Sequence, residues 1–138
     1  MIRFFDPGKS YLAHKKEYDA EIQRVLATGD LILREDVEKF EDNLAKFVGT
    51  KYAIALNSGT DAIYLALKAL NIKGNVALPS HTFKSTCGAV INAGATPVIY
   101  DMNDYGLSCN AHIPVHIAGE LSFIPYLGVP IIEDACQA

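Results

Sequence analysis

Short apolar segments that alternate with helical patterns are the feature that most constrains how this chain can fold. Apolar runs occupy 52–56, 76–78 and 97–100, and further strands are predicted at 113–115 and 130–133. Strands that alternate with helices form a mostly parallel sheet with helices on both faces, because parallel neighbours need a crossover connection. The sequence therefore predicts a three-layer α/β fold.

Helical patterns fill the spaces around these strands. Before the first strand, one helix is predicted from about Tyr11 to Thr28 and another from about Asp36 to Val48. Each is followed directly by a glycine, at which a helix readily ends. Between the strands, helices are predicted over 62–70, as a buried helix, and over 83–93. The connection from Asp101 to His112 is short for a crossover and is expected to be an irregular loop.

Length and composition favour a single domain over 1–138, in which a helical segment (about 1–50) precedes the sheet (about 51–138). Half of the residues are hydrophobic, which is enough to fill a core. The net charge of −4 gives no general attraction to nucleic acid or to anionic membranes. No apolar run is long enough to span a bilayer. Three widely spaced cysteines suit neither a disulfide framework nor a zinc site, and indicate reduced thiols in a cytoplasmic protein.

The turn from Asn57 to Asp61 is the first candidate binding element. It follows an apolar run and opens a helix, whose free N–H groups and positive dipole end can hold a phosphate. Gly59 allows close approach of a ligand, while Ser58 and Thr60 supply hydroxyl groups. On these residues alone, a helix capped by Ser58, Thr60 or Asp61 explains the turn at least as well.

Two further candidates lie at strand ends, where ligands bind in open α/β sheets. Phe83 follows the strand at 76–78 and can cover a planar ring, although packing in the core is the alternative. His116 follows the strand at 113–115 and is a candidate ligand contact. A structural histidine that binds backbone groups is the alternative there.

Asp134 lies two residues beyond a very apolar run, 129–132. A carboxylate in such a place is costly unless a positive or hydrogen-bonding group meets it. A protonated pyridine nitrogen would serve, and the ion pair would maintain the electron-sink character of a pyridoxal cofactor. A helix N-cap is the alternative interpretation.

Taken in order, these motifs resemble the DegT/DnrJ/StrS family of pyridoxal-phosphate-dependent sugar aminotransferases. The matching segments are Asn-Ser-Gly-Thr-Asp-Ala (57–62), Pro-Ser-His-Thr-Phe (79–83), Gly-Ala-Thr-Pro-Val (94–98), Pro-Val-His (114–116) and Glu-Asp-Ala-Cys-Gln-Ala (133–138). Each motif is weak alone, but five in this order are specific. The N-terminal segments 28–29, 37–41 and 47–53 fit as well.

The resemblance implies part of the large domain of the aspartate-aminotransferase fold, known as fold type I of the pyridoxal-phosphate enzymes. It also implies pyridoxal 5′-phosphate (PLP) as cofactor and a homodimer as the usual assembly. The family transfers an amino group, usually from glutamate, to a keto sugar carried on a nucleotide. Its products enter polysaccharide, lipopolysaccharide or antibiotic synthesis.

Residue roles follow from the same resemblance. It implies that four residues face the cofactor phosphate: Ser58, Gly59, Thr60 and Asp61. It further implies that Phe83 stacks on the pyridine ring and that Asp134 pairs with the ring nitrogen. Gln137 is expected to reach the phenolic oxygen of the ring. His116 matches a family motif as a substrate or cofactor contact.

The sequence also departs from the family pattern. Family members are well over twice this length, and their Schiff-base lysine lies downstream of the segment that matches Asp134 and Gln137. None of the nine lysines here has the matching context, so no catalytic residue is assigned. PLP or pyridoxamine 5′-phosphate (PMP) is therefore expected to bind without a covalent bond. On this resemblance the small C-terminal domain is expected to be absent, and the stretches Asn103–Ala111 and Glu120–Gly128 are interpreted as shortened.

Two functional hypotheses result. In the first, the chain is an aminotransferase-family protein, incomplete for catalysis alone, that works as a homodimer or with a polypeptide that supplies the missing part. In the second, it is a non-catalytic module that binds the cofactor or a nucleotide sugar, or that regulates a full-length homologue. No metal, nucleic acid or membrane is expected as a partner. An unrelated Rossmann-like protein is disfavoured because the glycine fingerprint is missing.

Overall fold

The structure is a computed structural model that describes residues 4–101, 108–124 and 128–138. By their internal contacts, the residues form two compact units, Met1–Ala55 and Leu56–Ala138. The boundary lies near the change from helical patterns to strand patterns in the sequence. Each unit is described by itself, and the single domain predicted over the whole chain stays a prediction.

The first unit is helical and contains α1 (Pro7–Ala13), α2 (Lys15–Thr28) and α3 (Glu35–Val48). The helix predicted from Tyr11 to Thr28 is thus two helices. An earlier start at Pro7 is stabilised by Asp6, whose carboxylate accepts the Lys9 N–H at 3.1 Å. The chain then leaves the helical conformation at His14, between α1 and α2.

Both predicted helix ends in this unit are confirmed. Gly29 follows α2 with φ of 68°, and Gly49 follows α3 with φ of 80°. Glycine adopts this left-handed conformation without strain because it has no side chain, and the helices therefore end there. The start of α3 at Glu35 is one residue earlier than predicted.

The second unit alternates helices with parallel strands, which confirms the α/β class. Its elements are α4 (Gly59–Ala69), β1 (Asn75–Pro79), α5 (Lys84–Asn92), β2 (Thr96–Tyr100) and β3 (Ala111–His112). The strand order is β2-β1-β3, and both neighbours of β1 are parallel to it. The carboxyl ends of the strands consequently meet at one edge of the sheet.

The sheet continues beyond β3 through single bridges to the last segment of the chain. His112 pairs with Ile131 and Val115 pairs with Asp134, both in parallel. The Asp134 N–H donates to the Pro114 carbonyl at 2.9 Å, and the His116 N–H donates to the Asp134 carbonyl at 3.0 Å. Asp134 therefore lies at the same edge as the ends of the regular strands.

The core of this unit lies between the sheet and the α4–α5 pair. Buried side chains from the two helices and from the strands form one apolar cluster, which includes Ile63, Leu67, Ala89, Val90, Val76, Leu78 and Ile113. Of the two helical layers predicted, the described residues of this unit show the layer formed by α4 and α5. In the parts of the chain that the structure describes, no helix is both long and apolar enough to cross a bilayer.

His112 and Tyr100 are both buried on the sheet and form a hydrogen bond, with the Tyr100 Oη 2.7 Å from the His112 Nε2. The other ring nitrogen of His112 is buried and has no hydrogen-bond partner. Burial lowers the pKa of His112 below its usual value, because the charged form would lose its hydration. The ring is therefore neutral at physiological pH.

The prediction of a strand at 52–56 is wrong. No regular structure forms there, and the Tyr52 and Ile54 side chains are 71% and 77% exposed. A strand needs a neighbour for its backbone groups, and no strand among the described residues pairs with this segment. The Ala55 N–H instead donates to the Glu41 carboxylate at 2.7 Å.

The strands predicted at 113–115 and 130–133 are only partly right. β3 ends at His112, and the later contacts are isolated bridges. Pro114 and Pro130 explain the interruption, because proline has no N–H to donate to a ladder.

Two other expectations about this unit need correction or stay open. The helix predicted over 62–70 as buried begins earlier, at Gly59, and leaves Leu65 and Leu70 about half exposed. The predicted irregular crossover and the proposed shortening after Asn103 and Glu120 fall partly on 102–107 and 125–127, outside the described residues.

The α4 helix allows a direct test of the core. We expect Leu67→Ala to lower the free energy of unfolding by about 2–5 kcal/mol, because Leu67 is fully buried and the truncation leaves a cavity. Leu65→Ala, on the exposed face of the same helix, is the matched control and should cost far less. Urea unfolding followed by circular dichroism measures both, and equal losses would contradict this packing.

Candidate functional site

Residues from separate parts of the second unit line one cavity of about 270 Å³ at the carboxyl edge of the sheet. Six of them are predicted site residues: Gly59, Thr60, Phe83, His116, Asp134 and Gln137. Six more were not predicted: Ile63, Thr82, Ser85, Val115, Ile117 and Cys136. The fold therefore brings the starts of two helices and the last segment of the chain to one place.

The start of α4 forms one wall of the cavity. The Ser58 Oγ accepts the Asp61 N–H at 3.2 Å and donates to the Asp61 carboxylate at 3.0 Å. These two residues hold the turn as the capping alternative describes, and they do not line the cavity. The N–H groups of Gly59 and Thr60 have no acceptor within the helix and remain available to an anion.

The last segment closely approaches Gly59. A Cβ placed on Gly59 would lie 2.6 Å from the Cys136 Sγ, well inside van der Waals contact. A side chain at position 59 would therefore have to displace the Cys136 thiol. The sequence motif contains both residues, but their contact was not predicted.

Asp134 is the buried acid of the site, with 7% of its surface exposed. Its Oδ2 accepts the Thr86 hydroxyl at 2.9 Å, and its Oδ1 accepts the Cys136 N–H at 3.3 Å. A carboxylate has about four acceptor positions, so capacity remains for a further donor. The acid caps a local turn in the described structure, which differs from the helix N-cap considered as an alternative.

Phe83 and Gln137 extend toward the cavity from accessible positions. Phe83 directly precedes α5 and is 66% exposed, so a face of its ring remains open to a ligand. Gln137 is exposed, and its backbone carbonyl accepts the Gly119 N–H at 2.9 Å, which leaves its side-chain amide unconstrained by that bond. Their predicted contacts with a ring remain predictions.

His116 is buried, and both of its ring nitrogens have protein neighbours. The Ser122 N–H donates to Nδ1 at 3.0 Å, so the hydrogen of a neutral ring is on Nε2, 3.2 Å from the Glu133 carboxylate. This arrangement favours the structural role considered for His116. A ligand contact would have to use the face of the ring.

Thr86 is the functional residue that the sequence did not reveal. It is almost completely buried, and its hydroxyl contacts both the Asp134 carboxylate and the Thr82 hydroxyl, each at 2.9 Å. No clear signal marked it, because Lys84 and Ser85 in the same first turn of α5 are polar as well. Its partner lies far away along the chain, which is why the pattern did not identify it.

The residues that line the cavity offer three different kinds of contact to a ligand. They combine a buried carboxylate, an exposed aromatic ring and a helix N-terminus with free N–H groups. These match a protonated ring nitrogen, a planar ring and a phosphate, respectively. Within the described residues, no cluster of three or more His, Cys, Asp or Glu side chains suits a metal ion.

Comparison with known proteins agrees with this geometry. A profile of the DegT/DnrJ/EryC1/StrS aminotransferase family matches residues 13–138. A UDP-2-acetamido-2-deoxy-3-oxo-D-glucuronate aminotransferase from Pseudomonas aeruginosa is 35% identical over the whole chain, and a dTDP-3-amino-3,4,6-trideoxy-alpha-D-glucose transaminase from Streptomyces venezuelae is 33% identical over 99% of it. The chain covers 45% and 42% of these relatives, less than half of their length.

Solved structures show the same fold. A DegT/DnrJ/EryC1/StrS aminotransferase from Brucella abortus superimposes with a TM-score of 0.85 at 30% identity, over all of this chain and 45% of that one. NtdA from Bacillus subtilis, solved with its cofactor PMP, gives a TM-score of 0.79 at 26% identity, over 91% of this chain and 34% of that one. The chain thus has the fold of part of these aminotransferases, as the resemblance implied.

The alignment with the Pseudomonas relative also bears on internal length. It extends over 160 positions while the chain has 138 residues, and 160 less 138 leaves 22 positions opposite gaps in this chain. The alignment includes the whole chain, so these gaps lie inside it. This agrees with the interpretation that interior connections are shortened.

The surroundings of Cys136 predict a thiol with a raised pKa. The hydrogen bond with Asp134, together with burial, raises the pKa of Cys136 above the ordinary 9.0. The thiol should therefore stay protonated at neutral pH, with alkylation by iodoacetamide accelerating only above pH 9. Asp134→Asn should accelerate alkylation at pH 8 several-fold, as measured by mass spectrometry of the Cys136 peptide. Glu133→Gln, which removes a neighbouring charge, is the control, and fast alkylation of the wild type at pH 7 would contradict the prediction.

Proposed function

The chain belongs to the DegT/DnrJ/EryC1/StrS aminotransferase family, and on that premise we propose that it binds PLP or PMP without a covalent bond and serves the transamination of nucleotide-linked keto sugars. The observation that carries the proposal is the buried Asp134 carboxylate, which lines the same cavity as the N-terminus of α4 and the Phe83 ring. Relatives named as nucleotide-sugar aminotransferases support the sugar class.

Each lining residue has a distinct task in this proposal. Asp134 accepts a hydrogen bond from the protonated ring nitrogen and keeps that nitrogen charged. The bound cofactor would then supply an electron sink. The N–H groups of Gly59 and Thr60 hold the phosphate. Phe83 covers one face of the ring and excludes water from it, and the Gln137 amide donates to the phenolic oxygen.

Amino transfer needs one group that this cavity does not supply. Among the described residues that line it there is no lysine, and Lys84, which adjoins Phe83, is exposed. The lysine that provides the covalent handle of the cofactor therefore lies outside these lining residues. We propose that a further polypeptide segment completes the cavity and supplies it, while the lining residues described here bind the cofactor without a covalent bond.

Calorimetric titration with PMP tests the cofactor site. The wild type should bind PMP, and Asp134→Ala should weaken binding at least about tenfold, because the ring nitrogen loses its charged acceptor. Asp42→Ala, on the exposed surface of α3, is the matched control and should bind like the wild type. Failure of the wild type to bind, or equal binding by Asp134→Ala, would refute the proposal.

A non-catalytic binding module is the second candidate function, and the gaps inside the alignment with the longer relatives favour it. Incubation with PLP, reduction with borohydride and peptide mass spectrometry test the non-covalent binding that both candidates share, and a cofactor adduct on a specific lysine would contradict it. Addition of a nucleotide-linked keto sugar to the PMP-bound chain separates the candidates. Conversion of bound PMP to PLP would support the first candidate, and PMP that persists would support a module that only binds.

Homodimer formation is proposed from the apolar surface of the first unit. The α3 helix leaves the apolar side chains Phe40, Phe47 and Val48 exposed, and clustered apolar surface commonly marks a protein interface. Sedimentation velocity at micromolar concentration should show a dimer, and Phe47→Ser should shift it toward monomer. Lys46→Ser is the adjacent polar control. A wild-type monomer would exclude a stable homodimer at that concentration.

A further inference from the structure

Three side chains form a hydrogen-bonded series beside the cavity, in which Thr86 and Asp134 are buried and Thr82 is half-buried. The Thr82 hydroxyl lies 2.9 Å from the Thr86 hydroxyl, which lies 2.9 Å from the Oδ2 of Asp134. Thr86 is 1% exposed and Asp134 is 7% exposed, so water contributes little to either. Thr82 lines the cavity itself and connects its wall to the carboxylate.

The direction of these hydrogen bonds follows from their chemistry. An ionised carboxylate only accepts, so the Thr86 hydroxyl donates its single hydrogen to Asp134. Thr86 must then accept from Thr82. The donated hydrogen bonds run from Thr82 to Thr86 and from Thr86 to Asp134. If the Thr86 hydroxyl rotated away, the buried Asp134 carboxylate would lose this hydrogen bond, which is costly in a buried site.

The backbone of Asp134 is anchored by its bonds to Pro114 and His116, but these do not determine the rotation of the side chain. The Cys136 N–H holds Oδ1 at the longer distance of 3.3 Å, whereas Thr86 holds Oδ2 at 2.9 Å. Thr86 comes from α5, the helix that directly follows Phe83. The helix whose start presents the aromatic ring thus also holds the acid.

We propose that Thr86 is a positioning residue that holds the Asp134 carboxylate in the rotation required to receive the cofactor ring nitrogen. The inference rests on the proposed function for its ligand, but the geometry it concerns exists without one. Thr86 touches neither substrate nor cofactor and acts through Asp134. Thr82 is the outer donor that orients the Thr86 hydroxyl.

The first test needs no ligand. Crystal structures of the ligand-free wild type, Thr86→Val and Thr86→Ser are compared. Valine keeps the shape but removes the hydroxyl, so the Asp134 carboxylate should rotate away from its wild-type position, whereas serine should retain it. An Asp134 carboxylate that keeps its position in Thr86→Val would overturn the proposal.

The second test measures how well the acid recognises the ring nitrogen. Calorimetry compares PMP with an analogue in which a C–H group replaces that nitrogen. The wild type should prefer PMP, and Thr86→Val should reduce PMP affinity about tenfold while changing analogue affinity little. Thr86→Ser should restore the preference, and Thr96→Val, an exposed position on β2, should leave both affinities unchanged.

The outcomes separate this proposal from the proposed function. If Thr86→Val weakens PMP and the analogue equally, Thr86 only maintains the fold and the positioning role is wrong. If the wild type does not bind PMP, the proposed function fails, and the ligand-free structures still decide whether Thr86 orients Asp134.

Discussion

The pairing of Val115 with Asp134 is the interaction on which the candidate site depends. Two backbone hydrogen bonds, from Asp134 to Pro114 and from His116 to Asp134, place the last segment beside the sheet. Because neighbouring strands are parallel, this puts the carboxylate at the same edge as the starts of the helices. Without this pairing, Asp134 would not meet Thr86, and the cavity would lose the only carboxyl side chain among its described lining residues.

The remaining geometry follows from close approach at that edge. Gly59 and Cys136 are near enough that any side chain at position 59 would have to displace the Cys136 thiol. Thr86 and Phe83 lie within one turn of each other, one buried against the acid and the other exposed to the cavity. The site is therefore assembled from four segments, 59–63, 82–85, 115–117 and 134–137, and a small displacement of any one changes its relation to the other three.

Local patterns predicted some elements well and others poorly, for identifiable reasons. The helix α3 was predicted within one residue because its apolar period and its terminal glycine are local signals. The strand at 52–56 failed because an apolar run becomes a strand only when a neighbour accepts its hydrogen bonds. The bridges around Pro114 and Pro130 replaced predicted strands because proline removes a donor, a restriction that the apolar pattern conceals.

The sequence by itself determined which chemical groups are available, their order, and the family to which the chain belongs. The motif residues Gly59, Phe83 and Asp134 were identifiable because each lies in a short continuous segment that can be read directly from the sequence. Only the tertiary structure decided that Thr86 holds Asp134 and that Ser58 and Asp61 cap α4 without lining the cavity. It also decided which nitrogen of a neutral His116 ring carries hydrogen. These depend on contacts between residues distant along the chain, and no local periodicity specifies which distant side chains will meet.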